Sequence, residues 1–238
     1  MTAAPSSIPR EDVEGFAALG LTAFTTTREA GTFSLSSDAP VGEVSSRWTR
    51  LQDDLSDKAR RIIIGRQVHG ANVLTHRGGW EGFLRTGEAD GHVAAERGII
   101  LTVSIADCVP VFLAHPSGMV GILHSGWKGT SARIIDAGLK AFARIGFPPD
   151  ELRVHLGPSI CGRCYEVSAE VRAELTGQPV NRSGNVDLRS LIAEHASESG
   201  VLDVTVSSDC TRCDNDRYFS HRAGDSGRQL GVIVAGII

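Results

Sequence analysis

Long apolar runs are missing from this chain. Its longest, pieces such as Gly231–Ile238, fall well short of the roughly 20 residues that a membrane-spanning helix needs. Excess charge of one sign is missing too. A formal net charge of −4 over 238 residues gives no electrostatic reason to expect nucleic acid or a membrane surface as partner. Aromatic residues make up only 5%. Met1-Thr2-Ala3-Ala4-Pro5-Ser6-Ser7 has neither a basic leader nor an apolar segment, which argues against a secretory signal and for a cytoplasmic location. With no export signal, the five cysteines, an odd number, read as reduced thiols or metal ligands rather than a disulfide framework. His-x-His pairs, which multicopper sites use, are absent.

What is there is an ordinary globular composition, 41% hydrophobic and 22% charged, long enough for one large domain or two small ones. Pro, Ser and Ala over residues 1–12 predict a flexible N-terminal arm, and no linker divides residues 13–238. Leu21–Thr27 reads as the first strand and Ser45–Leu55 as a helix through Trp48, Leu51 and Leu55. Strands are expected at Arg61–Gly65 and Ala71–Thr75, with a surface excursion over His76–Glu88. Ile99–Ile105, Val109–His115 and Met119–His124 read as three strands, the last two joined by Pro116-Ser117-Gly118. A helix capped by Thr130 or Ser131 follows, its stripe running Ile135, Leu139, Phe142, Ile145, and Gly146 with Pro148-Pro149 ends it. Leu152–Leu156, Val201–Val206 and Leu230–Ala235 are further strands; Ser168–Leu175 and Leu188–Glu198 are helices. Strands outnumber helices and often follow one another, so the class is α+β.

Three short segments place a metal-grade side chain at the edge of an apolar run: Gln67-Val68-His69-Gly70, Ala106-Asp107-Cys108 and His124-Ser125-Gly126-Trp127. A strand that stops at Cys or His before small residues presents that side chain at the rim of a sheet, where ligands bind. One thiolate and two imidazoles suit zinc and leave a tetrahedral position free, as in catalytic sites. Each residue alone reads more simply as a buried Cys or an isolated His; it is the three together that point to a shared site. His76, His92, His115, His155 and His195 lack a comparable setting, and His221 beside Arg222 reads equally as a surface residue. Asp90 and Asp107 are each able to orient a ligand His or move a proton, although for Asp107 capping a turn is the simpler role.

These stretches, with Ala89-Asp90-Gly91, Ala106-Asp107-Cys108-Val109-Pro110-Val111, His124-Ser125-Gly126-Trp127-Lys128-Gly129-Thr130, Leu156-Gly157-Pro158-Ser159-Ile160, Cys164-Tyr165-Glu166-Val167, Phe219-Ser220-His221-Arg222 and Ser226-Gly227-Arg228, occur in one order. In that order they resemble the YfiH family, also called laccase-domain or purine nucleoside phosphorylase family proteins. The resemblance runs from about Thr25 to the C-terminus. It implies a single-domain four-layer α/β/β/α sandwich with two mixed sheets, and it implies that His69, Cys108 and His124 are the zinc-binding catalytic trio. Arg28, Arg222 and Arg228 lie in family-like stretches and are candidates for binding phosphate through paired N–H donors. Lys128, on the Gly126–Thr130 turn into a helix, is another. Ala30-Gly31-Thr32-Phe33-Ser34 departs from the family's Gly-Gly-x-Ser turn, which bears on Arg28 and Ser34.

The other four cysteines form Cys161-Gly162-Arg163-Cys164 and Cys210-Thr211-Arg212-Cys213. Paired Cys-x-x-Cys turns mark structural zinc when they meet. The long stretch between them makes reduced, unpaired thiols the default expectation.

The resemblance implies phosphorolysis of adenosine, inosine, guanosine and methylthioadenosine, with adenosine deamination besides. Zn2+ would be the cofactor, purine nucleosides and inorganic phosphate the partners, and the chain a monomer or homodimer. Two other chemistries fit the same trio: Cu2+-dependent oxidation of phenols, since one Cys with two His also matches type 1 copper, and a cysteine-type amidase with Cys108 as nucleophile and His124 as base. A non-catalytic binding role comes last.

Overall fold

The computed structural model describes residues 7–236. Fourteen strands are present among them: β1 (Arg10–Asp12), β2 (Thr22–Thr26), β3 (Arg61–Arg66), β4 (Val73–His76), β5 (Gly82–Glu88), β6 (Gly91–Ala94), β7 (Ile99–Ile105), β8 (Val109–Ala114), β9 (Val120–Ser125), β10 (Arg153–Leu156), β11 (Glu166–Val167), β12 (Gly184–Asn185), β13 (Asp203–Val206) and β14 (Gln229–Val234). Five α-helices accompany them: α1 (Val41–Asp54), α2 (Trp127–Ser131), α3 (Ile134–Arg144), α4 (Ala169–Thr176) and α5 (Leu188–Glu198). One six-stranded sheet has the order β1-β2-β14-β7-β3-β5 and the other β13-β10-β8-β9-β6-β4, each mixing parallel and antiparallel pairs.

Period-2 alternation explains the layering. Leu101, Val103 and Ile105 of β7 meet Phe112, Val120 and Ile122 in a core between the sheets. Ile100, together with Ile62, Phe24 and Val232, faces the other way, onto Val44, Trp48 and Leu51 of α1. On the second sheet Val109, Val111 and Leu113 turn outward onto Ile135, Leu139 and Phe142 of α3 and Ile192 of α5. The result is the α/β/β/α sandwich in four layers that the family resemblance implies.

Three expectations change. Residues 1–6 of the expected arm lie outside the described residues, but Arg10–Asp12 forms a strand pairing with Phe24–Thr26, and Ile8 is buried. The excursion over His76–Glu88 ends in β5, an edge strand pairing in parallel with β3; its charged and glycine-rich sequence suits a strand that meets solvent along one side. The helix after His124 starts at Trp127, without a side-chain cap, and is broken at Arg133, whose φ of 53° separates α2 from α3. Thr130 Oγ is instead 2.9 Å from the Ser125 hydroxyl.

Candidate metal centre and cavity

Three times in succession the chain leaves the first sheet and enters the second: from β3 to β4, β5 to β6 and β7 to β8. The strands left behind, β3, β5 and β7, run parallel, so all three crossings fall on the same rim. The crossings carry His69, then Asp90, then Asp107 with Cys108. β9 runs antiparallel to β6 and β8, bringing its C-terminal end, with His124, to that same rim. Residues far apart in sequence therefore meet because the two sheets exchange strands there.

Gln67 secures the first crossing. Backbone pairing of β3 with β7 ends at Ile64 and Thr102. The Gln67 amide takes over, accepting from Ser104 N at 2.7 Å and donating to Ser104 O at 2.8 Å. His69 then turns with a φ of 62°, a conformation unfavourable for a side-chain-bearing residue. Asp90 holds it there: its carboxylate accepts N–H groups of Val68, His69 and Gly70 at 3.1, 2.9 and 2.8 Å. Asp90 Oδ1 also lies 2.9 Å from His124 Nδ1. Burial pushes this wholly buried carboxyl up, but the bonds from His124, Gly70 and Val68 prevail and its pKa is lowered, so it stays ionised. With Nδ1 engaged, His124 Nε2 is left for the shared centre.

The ligand-grade atoms of His69, Cys108 and His124 all lie within 4.8 Å of one another. The two imidazoles meet edge to face, centroids 4.8 Å apart. Burial pushes the Cys108 thiol up, yet the His124 charge and hydrogen bonds from His124 and His69 outweigh it, leaving a pKa of about 6. Burial likewise lowers His124, but the Cys108 sulfur and Asp90 raise it to about 9. A thiolate beside an imidazole that gives up its proton to a metal is a donor set suited to zinc. Gly126 makes the approach possible: a Cβ there would lie 2.8 Å from Cys108 Sγ and 3.3 Å from His69 Cδ2.

The trio opens into a cavity of about 840 Å³, within the size range of small-molecule sites. Trp127, Ile160, Tyr165 and Leu188 supply apolar surface, and Arg66, Arg85, Arg222 and Arg228 supply positive charge. Arg222 lies over the Tyr165 ring at 5.1 Å and bonds Glu166 O, while its backbone N–H reaches Asp107 Oδ2 at 2.7 Å. Arg228 Nη1 is braced by the carbonyls of Asp225, Ser226 and Gly227. His221 also lines the cavity.

Two expected phosphate contacts do not line it. The Arg28 guanidinium is held by Asp225 at 2.6 Å and by the carbonyls of Asn215 and Tyr218, over the Phe219 ring. It braces the loop that carries Arg222. Lys128 is exposed, its ammonium 5.5 Å from the Trp127 ring centroid. The segment Ala30–Ser34, despite its departure from the family turn, still reaches the site. Thr32 Oγ accepts Arg228 N, Phe33 N bonds Arg228 O, and Ser34 lines the cavity. Asp107, with a φ of 80°, faces Thr211 and Arg222 N and acts as a turn brace. Sequence reasoning missed Gln67, Arg66, Arg85 and Tyr165 as wall residues. Arg85 carried no signal, because its segment read as a surface excursion.

Fold and site together define a class: four-layer sandwich proteins with a thiolate–imidazole centre at the rim where their sheets exchange strands. Within it, the chain belongs to the family described as multi-copper polyphenol oxidoreductase laccase, whose model matches residues 26–236. It is 36% identical over 180 residues to purine nucleoside phosphorylase ORF3 of Streptomyces griseus, covering 72% of this chain and 73% of that protein. Adenosine deaminase RL5, from an unknown prokaryotic organism, is 33% identical over 157 residues, 60% of this chain and 58% of that one. The crystal structure of the Bacillus licheniformis hypothetical protein YfiH superposes with a TM-score of 0.86 at 23% identity, over 96% of this chain and 97% of that one. No helix among the described residues is long and apolar enough to cross a membrane.

Proposed function

We propose that this chain is a zinc-dependent enzyme of purine nucleosides that carries out phosphorolysis to free base and ribose 1-phosphate and also deaminates adenosine. The observation that carries the proposal is the gathering of His69, Cys108 and His124 donors within 4.8 Å at the wall of a cavity with room for a nucleoside and a phosphate together. The enzymes named for the relatives act on that substrate class.

His69, Cys108 and His124 are the proposed ligands. Bound there, zinc supplies Lewis acidity and brings the pKa of water toward neutrality. The protein's own residues do the remaining work. Asp90 fixes the tautomer of His124 and the backbone of His69 at once. Tyr165, Trp127 and Ile160 offer flat, apolar surface for a purine. Arg222 and Arg228, each held by carbonyl groups, present a fork of N–H donors to phosphate oxygens and orient the nucleophile toward C1′ of the ribose. Arg66 and Arg85 add positive potential around the same cavity.

The family description raises copper chemistry. Among the described residues, the groups that come together as potential metal sites are this trio, with two histidines, and a set of four cysteines, with none. That ligand set favours zinc over a multicopper centre.

The test pairs metal analysis of protein purified without added metal with chromatography of inosine and adenosine reactions, each with and without phosphate. Zinc, hypoxanthine released from inosine only when phosphate is present, and adenosine converted to inosine without it are the expected results. Bound copper with oxygen uptake on a phenol, and no base released, would reverse the assignment. A covalent adduct at Cys108 that forms equally well with metal present would favour a cysteine hydrolase instead.

A further inference from the structure

The two Cys-x-x-Cys turns, far apart in sequence, meet in space. Cys161–Cys164 follows β10 and Cys210–Cys213 follows β13, and these strands are parallel neighbours. Both segments therefore leave the sheet at the same end. An isolated parallel bridge between Ser159 and Cys210, with Thr211 N bonded to Ser159 O at 3.1 Å, continues the pairing beyond the strands. Each segment then folds into a tight turn: Cys164 N bonds Cys161 O at 2.9 Å, and Asp214 N bonds Cys210 O at 2.8 Å. The four sulfur atoms lie within 4.8 Å of one another, Cys164 and Cys213 being 3.5 Å apart.

We propose that Cys161, Cys164, Cys210 and Cys213 form a closed structural zinc site. Zinc–sulfur bonds of about 2.3 Å in a tetrahedron put the sulfurs roughly 3.8 Å apart, which this cluster meets with small adjustments. Backbone donors already point at one of the four sulfurs. Cys210 Sγ, buried, accepts the backbone N–H of Cys161 at 3.2 Å and of Cys213 at 3.4 Å. These bonds orient the ligand and spread its charge, as outer partners of metal sites do. Each turn also carries an arginine, Arg163 and Arg212, against the net negative charge of a tetrathiolate zinc. All four positions are cysteine, leaving no place for water or substrate, so the role is mechanical.

What it holds is the cavity wall. Ile160 and Tyr165, on either side of the first turn, line the cavity. Thr211, inside the second, donates to Asp107 Oδ1 at 2.6 Å, and Ile160 N bonds Asp107 O. Asp107 precedes Cys108. A zinc clamp here fixes both the wall and the approach to the first centre.

The site is independent of the proposal for His69, Cys108 and His124, and the experiment keeps them apart. Zinc per chain is counted by native mass spectrometry and plasma emission on the full protein, for wild type, His69→Ala/His124→Ala and Cys164→Ser/Cys213→Ser. Two zinc ions in wild type and one in each double variant are expected. If the cysteine variant is insoluble, cobalt(II) loading of the His69→Ala/His124→Ala protein substitutes. An intense thiolate-to-cobalt charge-transfer band in that protein is then expected. One zinc in wild type that the histidine variant loses overturns the site, as does a denatured mass showing the four cysteines as disulfides. Iron in place of zinc overturns the metal assignment.

Discussion

Gly126 shows how much of the first centre rests on an atom that is not there. Its backbone passes so close to Cys108 and His69 that a methyl group would press on the sulfur at 2.8 Å. Gly126→Ala is expected to fold and to bind zinc roughly 10–100-fold more weakly, measured by competition with a chromophoric chelator. Asp90 is the complementary case. It is not one of the three proposed ligands, yet it serves three backbone N–H groups, that of His69 among them, and His124 Nδ1. Asp90→Asn keeps the shape and removes the charge. A loss of metal affinity of about 10–100-fold with a small change in melting temperature is expected; unchanged affinity would make Asp90 a purely structural brace. Both residues were visible in the sequence as motif members, and Asp90 as able to orient a ligand His, which its contact with His124 Nδ1 matches; the closeness of Gly126 to Cys108 and the hold of Asp90 on three backbone N–H groups were not. Spacing says that Ala89-Asp90-Gly91 sits before a strand, and it cannot say that four donors converge on that carboxylate.

At the scale of elements, legibility tracked the strength of the period. α5 runs over Leu188–Glu198, and β7 over Ile99–Ile105, as their sequences predict. Both have unbroken apolar patterns with clear ends: Asp187 accepts N–H groups of Arg189 and Ser190, and Gly98 precedes β7 with a φ of 75°. β5 was hidden because an edge strand with charged and glycine residues has no buried face to announce it. The split of α2 from α3 was hidden because Arg133 sits in the left-handed region with its guanidinium shared between Asp136, three residues on, and Glu198, remote in sequence. The cysteine turns were legible as turns only; their meeting follows from the β10–β13 pairing. α1 is the long helix covering the first sheet, and Leu51 on it is wholly buried. Leu51→Ala is expected to cost about 2–5 kcal/mol, lowering the melting temperature by roughly 5–15 °C, with zinc stoichiometry unchanged. A concurrent loss of zinc from the histidine–cysteine centre would mean that the first sheet's packing, and not the rim loops, sets that site.

Over the whole molecule, the two sheets bury histidines that must stay neutral. His76 Nε2 and His92 Nδ1 are 3.0 Å apart, and burial lowers His76 to about 4. Burial first, then the neighbouring His76, lowers His92 to about 3, with Asp90 pulling the other way. The His92 ring occupies the space a side chain at Gly65 would need, between the sheets. His155, packed against Phe16 and Phe112 and bonded to Thr205, is lowered by burial to about 4. Each of these folded-state values lies below the unfolded value near 6.5. The unfolded chain therefore binds more protons from about pH 6.5 down to about pH 4 for His76 and His155 and about pH 3 for His92, and stability falls as pH drops through those windows, with no further loss from each group below its own. One histidine so shifted costs about 2 kcal/mol between pH 7 and pH 5, or roughly 4–8 °C of melting temperature for a chain of this size. His155→Phe isolates the effect, since it lies away from the metal centre and its ring already sits among aromatics. The variant's melting temperature is expected to fall less steeply than wild type's from pH 7 to pH 5, so the gap between them shifts in its favour as acid is added. Parallel pH profiles for the two proteins would show that His155 is protonated in the native state, and that the second sheet admits a charge at that position.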